Sequence, residues 1–307
     1  MQNNQALPPG CELEGYRIER QLSVGGFSIV YLAHDAAGTP VAIKEYLPNA
    51  LALRGEGQIV PVIPPESQSE FNHGLKCFFE EGRALTGIAH PNVVQVLNFF
   101  RANETVYLVM RFETGQTLRD YIKQRRNWID EAFLRNMFCG VLDGLGEVHG
   151  RGLLHLDIKP ANIWLRTDGS PVLLDFGAAR YAVDIGPPDP RAMFTPGYAA
   201  PEQYHRKFTL GPWTDIYAVG ACIYAALAGS APQTADERLV DDQLLPARQR
   251  WGSDYSLRLL TTIDECLRLD PPRRPQHARA LQASLTADPD AVRSSSWLAR
   301  VGRKYFK

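Results

Sequence analysis

"LLHLDIKPANIWL", residues 153–165, sets a histidine, an aspartate, a lysine and an asparagine between two apolar runs. The flanks read as short strands at a core, yet a core strand has no use for Asp157, Lys159 and Asn162. The stretch is therefore expected to bring three polar groups of different chemistry to the rim of the core. Further on, "PVLLDFG" (171–177) ends an apolar run on Asp175. Two carboxylates and an asparagine at strand ends are hard oxygen donors of the kind that suits Mg²⁺ carrying phosphates. A lysine two residues after Asp157 suits a phosphoryl group in transfer.

Upstream, "VAIK" puts Lys44 on the third of three short β-rich segments, and "FFEEGRAL" puts Glu80 and Glu81 on the helix that follows, where one of them can pair with that lysine. "SVGGFS" (23–28) lies between the first two segments, and backbone N–H groups of such a turn can approach phosphate. Each residue alone has a plainer reading: Asp157 as a helix cap, Lys44 as a solvated strand lysine, the tail cations as a solvated helix.

The chain of 307 residues is long enough for two lobes, and its net charge of −1 gives no general attraction to nucleic acid, so no nucleic-acid partner is expected. Cysteines at 11, 77, 139, 222 and 266 form no Cys-x-x-Cys pair, and buried thiols in a reducing compartment are the simplest expectation. "MQNNQALPPG" has neither the basic nor the apolar region of a signal peptide, and "IYAVGACIYAALAG" (216–229) is too short for a bilayer. A cytoplasmic protein with a buried helix there is expected.

Residues 1–15 read as a loose lead-in. "YRIERQLSV", "FSIVYLAHD" and "PVAIKEYL", then "VVQVLNFF" and "TVYLVMRF", have strand character, with a helix over "SEFNHGLKCFFEEGRAL". That predicts a small lobe over 16–112, with five strands, one helix and an irregular insertion at about 45–69. Helical spacing then dominates a larger lobe over 113–285, and a Ser-rich, basic tail occupies 286–307.

Together these motifs resemble the signature set of protein kinases, and the chain is similar to bacterial kinases of the eukaryotic-like Ser/Thr (Hanks) type over about 16–285. The resemblance implies an α+β, bilobal fold: a small antiparallel five-stranded lobe with one helix, and a mainly helical lobe. It implies transfer of the γ-phosphate of Mg-ATP to protein Ser/Thr hydroxyls, with ATP and Mg²⁺ as cofactors. Asp157 resembles the catalytic aspartate, and Lys159 the lysine that steadies the γ-phosphate. Lys44 resembles the lysine on the α- and β-phosphates, with Glu81 as its partner because Glu81 lies nine residues before "HPNVV". Asn162 and Asp175 resemble the metal ligands. Leu22, Gly25, Gly26, Val30, Ala42, Met110 and Phe112 fall where the family holds the nucleotide. "AAPEQY" (199–204) resembles the Ala-Pro-Glu motif, pairing Glu202 with Arg274 of "DPPRRP", and Asp215 resembles the aspartate that braces the catalytic loop.

Three departures stand out. The glycine turn carries Ser23 and Ser28 where the family has glycine. Leu156 stands where arginine usually precedes the catalytic aspartate, and the segment from Ala178 to Phe194 offers no serine or threonine and only Tyr181 as a hydroxyl. Lys44 and Glu81 are 37 residues apart, which implies the insertion. A pseudokinase scaffold and a small-molecule kinase are the competing readings. Lys159, Thr195 and Ala-Pro-Glu favour protein Ser/Thr. Expected partners are a protein substrate, a regulatory partner at the kinase helix or the insertion, and a membrane surface for the tail.

Overall fold

The computed structural model describes residues 4–125, 129–176, 194–204 and 208–286, and the backbone of 180–181. The chain divides into two compact units, 1–114 and 115–307.

In the first unit, β1 (Glu12–Leu13), β2 (Tyr16–Val24), β3 (Ser28–His34) and β4 (Pro40–Tyr46) form an antiparallel meander. Helix α1 (Gln68–Thr86) follows, then β5 (Val96–Ala102) and β6 (Thr105–Arg111), giving the sheet order β1-β2-β3-β4-β6-β5. Asn103 and Glu104 close the β5–β6 hairpin with φ of 51° and 59°, the left-handed pair of a two-residue turn whose twist matches the strands. The sheet has six strands rather than the expected five, because the two residues of β1 add to its edge.

Period-two alternation sends β4 side chains to opposite faces. On one face Lys44 lies between Val30 of β3 and Leu108 of β6, and Ala42 lies opposite Met110. This face also receives α1, whose Phe71 and Phe78 rings pack on Tyr46 at 5.2 and 5.6 Å. The other face carries Tyr31, Ile43, Glu45 and Tyr107, all with no exposure.

That second face explains both the lead-in and the insertion. Residues 4–7 are packed rather than loose: Asn4 and Leu7 are buried, and the Leu7 N–H donates to the Tyr31 hydroxyl at 3.2 Å. The insertion closes a small loop through the Leu53–Val62 bridge and delivers Arg54 to the buried face. The Arg54 guanidinium forks onto Glu45 at 2.6 and 2.7 Å and donates to the Tyr31 hydroxyl at 2.7 Å. Tyr31 and Tyr107 hydroxyls donate to the same carboxylate at 2.6 and 2.7 Å. Burial works against the Arg54 charge, but the bonds and charge of Glu45 outweigh it and raise its proton affinity.

In the second unit, β7 (Gly115–Thr117) leads into α2 (Leu118–Gln124), and α3 (Glu131–Gly150) starts at Asp130, whose carboxylate caps the Phe133 N–H at 2.9 Å. Then come β8 (Leu153–Leu154), β9 (Ile163–Arg166), β10 (Pro171–Leu173) and β11 (Arg180–Tyr181). The strands form two small sheets, β10-β9-β7 and β11-β8. Helix α4 (Pro212–Ala228) is buried continuously from Thr214 to Ala226, as a helix apolar on all sides must be, and stops at Gly229 with φ of 74°. Around it lie α5 (Ala235–Val240), α6 (Ala247–Arg250), α7 (Leu257–Cys266) and α8 (Ala278–Thr286). All five cysteines are free, but only Cys222 and Cys266 are buried; the other three are half-buried, against expectation. Among the described residues no helix is long and apolar enough to cross a membrane. The expected tail lies outside the described residues beyond Thr286.

Arg54→Met strands the Glu45 carboxylate in a closed interior and should destabilise the sheet unit by about 3–5 kcal/mol. The double variant Arg54→Met with Glu45→Leu should lose less than the single one. Denaturant midpoints compare the two directly.

Candidate active site

The helical unit builds its candidate residues on one buried carboxylate. Asp215 of α4 has no exposure, and it accepts the backbone N–H of His155 at 2.9 Å and of Leu156 at 2.8 Å. The third bond, at 2.8 Å, comes from His149 of α3. Burial alone pushes the Asp215 carboxyl up, but the hydrogen bond and charge of His149, with His155, hold it below the usual carboxylate range.

Leu156 has φ of 63°, a left-handed conformation that costs a non-glycine residue about 1–3 kcal/mol. Its side chain is buried with Leu154 and Leu210. Next to it, His155 is buried, its ring 4.4 Å from that of Phe176. Its Nε2 is 3.1 Å from the Leu174 carbonyl, which can only accept, so the proton sits on Nε2 and Nδ1 accepts from the Asp157 N–H at 3.3 Å. Burial lowers its proton affinity against the charges of Asp215, Asp157 and Asp175, and the ring is a neutral spacer rather than a base.

Asp157 follows with its carboxylate engaged on both oxygens. Oδ1 accepts the Thr195 hydroxyl at 2.8 Å; Oδ2 accepts Lys159 Nζ at 2.7 Å and Asn162 Nδ2 at 3.1 Å. Lys159 also donates to Thr195 Oγ1 at 2.8 Å, closing the set. The β9–β10 hairpin brings Asn162 and Asp175 to one end: Ile163 pairs with Leu173, and the Leu174 N–H donates to the Asn162 carbonyl at 2.8 Å. Asn162 Nδ2 faces Asp157, which turns Oδ1 the other way. The donor set of this amide oxygen and the Asp175 carboxylate fits Mg²⁺, which prefers hard oxygen.

A second anchor holds the 194–204 segment. Glu202 and Arg274, both buried, form a two-pronged pair at 2.8 and 3.0 Å, and Thr214 donates to the same carboxylate at 2.9 Å. Residues 177–179 and 182–193, which hold most of the segment that lacks serine and threonine, lie outside the described residues.

In the sheet unit, Lys44 Nζ stands 3.9 Å from Glu81 Oε1, both buried, and 5.1 Å from the Phe78 ring centroid. Beside this pair α1 packs closely on the sheet: a Cβ at Gly82 would meet Leu108 Cδ1 at 2.7 Å. Glu80 is half-buried and pairs with the exposed Arg83 at 3.5 Å. The glycine turn closes with the Gly25 N–H on the Ser28 carbonyl at 2.8 Å. The carbonyls of Gly26 and Phe27 accept from Asn49 and Leu47 N–H, each at 2.9 Å. Leu22 borders the turn with 36 % exposure, and Phe112 is half-buried just past β6.

The motif reading did not anticipate His149, Gln203 or Arg54. "LGEVHG" gives no sign that its histidine meets Asp215, and a glutamine after Ala-Pro-Glu reads as a solvated side chain.

The family profile described as protein kinase domain matches residues 16–286. The chain belongs to the protein kinase family. Two curated bacterial relatives resemble this kinase domain at 30 % identity. Serine/threonine-protein kinase pkn3 of Myxococcus xanthus aligns over 290 residues, 89 % of this chain and 49 % of its own length. Serine/threonine-protein kinase C of Synechocystis aligns over 279 residues, 88 % and 49 %. A solved structure described as PpkA-294 in its apo form matches with a TM-score of 0.82 and 35 % identity, over 91 % of this chain and 99 % of that one. The kinase domain spans about a third to a half of the length of the first curated relatives it matches.

Glu81→Gln leaves the buried Lys44 ammonium beside a neutral amide and should lower phosphoryl transfer about tenfold or more. Glu80→Gln removes only a surface pair and should change the rate less than about twofold. Initial rates at saturating ATP give the ranking, and the reverse order would assign the pairing to Glu80.

Proposed function

We propose that this kinase domain transfers the γ-phosphoryl group of ATP to serine or threonine hydroxyls of a protein. The observation that carries the reading is the closed set of bonds joining Asp157, Lys159, Asn162 and Thr195. Asp157 is a carboxylate held ready to take the proton released by the attacking hydroxyl. Lys159 puts a cation beside that oxygen, where charge develops on the group in flight. Asn162 and Asp175 are the Mg²⁺ ligands, and a bound ion there neutralises phosphate charge. Lys44, held by Glu81, is the cation for the α- and β-phosphates. Leu22, Gly25, Gly26, Val30, Ala42, Met110 and Phe112 hold the nucleotide. Catalysis is then mostly positioning of charge, with little covalent chemistry left to the protein. The tie of Thr195 to both Asp157 and Lys159 favours Ser/Thr protein substrates over small molecules.

Asp157→Asn keeps the shape of the loop but removes the base. It should lower kcat by about 100-fold or more, with MgATP affinity within twofold by titration. Wild-type turnover in this variant would sink the mechanism.

The same reading extends to regulation. Leu156 carries no charge that a phosphate could satisfy, and from Ala178 to Phe194 only Tyr181 has a hydroxyl. We assign control instead to a partner at α1 or the 45–69 insertion, where Ile59, Val60 and Val62 are exposed. The basic tail is the candidate for contact with a membrane surface, and a cytoplasmic location fits this scheme. Phosphatase-treated protein should keep its initial rate within about twofold, since Leu156 carries no charge for an added phosphate to satisfy. Loss of activity on dephosphorylation, restored by a phosphate on Tyr181 or Thr195, would overturn this assignment.

A further inference from the structure

Gln203 follows Glu202 in the Ala-Pro-Glu segment and bridges two parts of the helical unit. Its Oε1 accepts the Ala200 N–H at 3.0 Å. Its Nε2 donates to the Leu156 carbonyl at 2.8 Å. The two bonds fix which way the amide faces: a backbone N–H demands the oxygen and a carbonyl demands the nitrogen.

The residue it grips is the strained one. Leu156 is the residue immediately before Asp157, with φ of 63°. Asp215 takes its N–H at 2.8 Å, and Gln203 takes its C=O. Both peptide groups flanking this Cα are therefore held by side chains, one from α4 and one from the 201–204 turn. That turn is itself immobilised through Glu202, which Arg274 and Thr214 hold. The orientation of the peptide leading into Asp157 is thus set by a neutral amide anchored to a buried ion pair.

We propose that Gln203 is a positioning residue for phosphoryl transfer, acting through the Leu156 carbonyl to hold the Asp157 carboxylate in register with Lys159 and Thr195. This rests on the kinase reading above and adds a residue to it. The Gln203–Leu156 link between the Ala-Pro-Glu segment and the catalytic loop is an amide hydrogen bond that involves no titratable or phosphorylated group.

The test uses Gln203→Met, which keeps length and volume but can neither donate to Leu156 nor accept from Ala200. kcat should fall about tenfold, while KM for ATP and MgADP affinity stay within about twofold, because nucleotide binding does not use this bond. Gln203→Glu, which keeps an acceptor for the Ala200 N–H but offers no donor, should fall at least as far, and it stands in if the Met variant does not fold. The discriminating measurement is the same pair of rates in a Leu156→Gly background. Glycine adopts φ near +60° without strain, so the penalty for Gln203→Met should shrink to less than about threefold there. An independent readout is amide hydrogen exchange over 155–162, which should quicken roughly tenfold in Gln203→Met and needs no activity. Unchanged kcat with unchanged exchange, or an equal loss in the wild-type and Leu156→Gly backgrounds, would overturn the inference. A wild-type protein that transfers no phosphate would instead overturn the kinase reading, and exchange alone would then decide the role of Gln203.

Discussion

The buried Asp215 carboxylate is the constraint on which the helical unit's chemistry depends. A carboxylate with no exposure is tolerable only if its oxygens are satisfied, and here three N–H groups do so. Two of them are consecutive backbone groups, at His155 and Leu156, and accepting both from one carboxylate forces the chain into a sharp left-handed step. The same step sends His155 inward against Phe176 and Leu174, and turns Asp157 toward Lys159 and Thr195. The strain at Leu156 is therefore a product of satisfying a buried charge, and it is compensated where it arises.

The sheet unit meets the same problem in the opposite way. Its buried charges neutralise one another, Arg54 against Glu45, with two tyrosine hydroxyls completing the carboxylate's bonds. Glu45 is the residue after Lys44, and alternation sends the two to opposite faces of β4. One strand thus carries a cation toward α1 on one face and an anion toward the insertion on the other. The insertion is consequently part of the core rather than an appendage to it.

Much of this was legible in the sequence. The strands over 16–46 and 96–111 announce themselves by β-rich runs between turns, and α1 by its apolar face. Asp157, Lys159, Asn162 and Asp175 were legible because their chemistry is dense and their flanks apolar. What escaped depends on tertiary contact. β1 is two residues long, too short for any period. Arg54 sits in "LRGEGQ", which reads as a solvated loop until the fold closes over it. Gln203 has a role only because Leu156 adopts a particular φ, and no local pattern encodes that. His149 is one histidine on a helix until Asp215 arrives 66 residues later.

The bonds around Asn49 carry a practical consequence. Its backbone N–H holds the Gly26 carbonyl, while its side-chain oxygen accepts from the Asn4 backbone and side chain at 3.3 and 2.8 Å. Asn4 in turn donates to the carbonyls of Leu47 and Ala52 and accepts from Arg54. The glycine turn is thus two hydrogen bonds, with Asn49 between them, from Asn4, the first described residue of the chain. A substitution at Asn4 therefore reaches the turn through Asn49, although the sequence sets the two far apart.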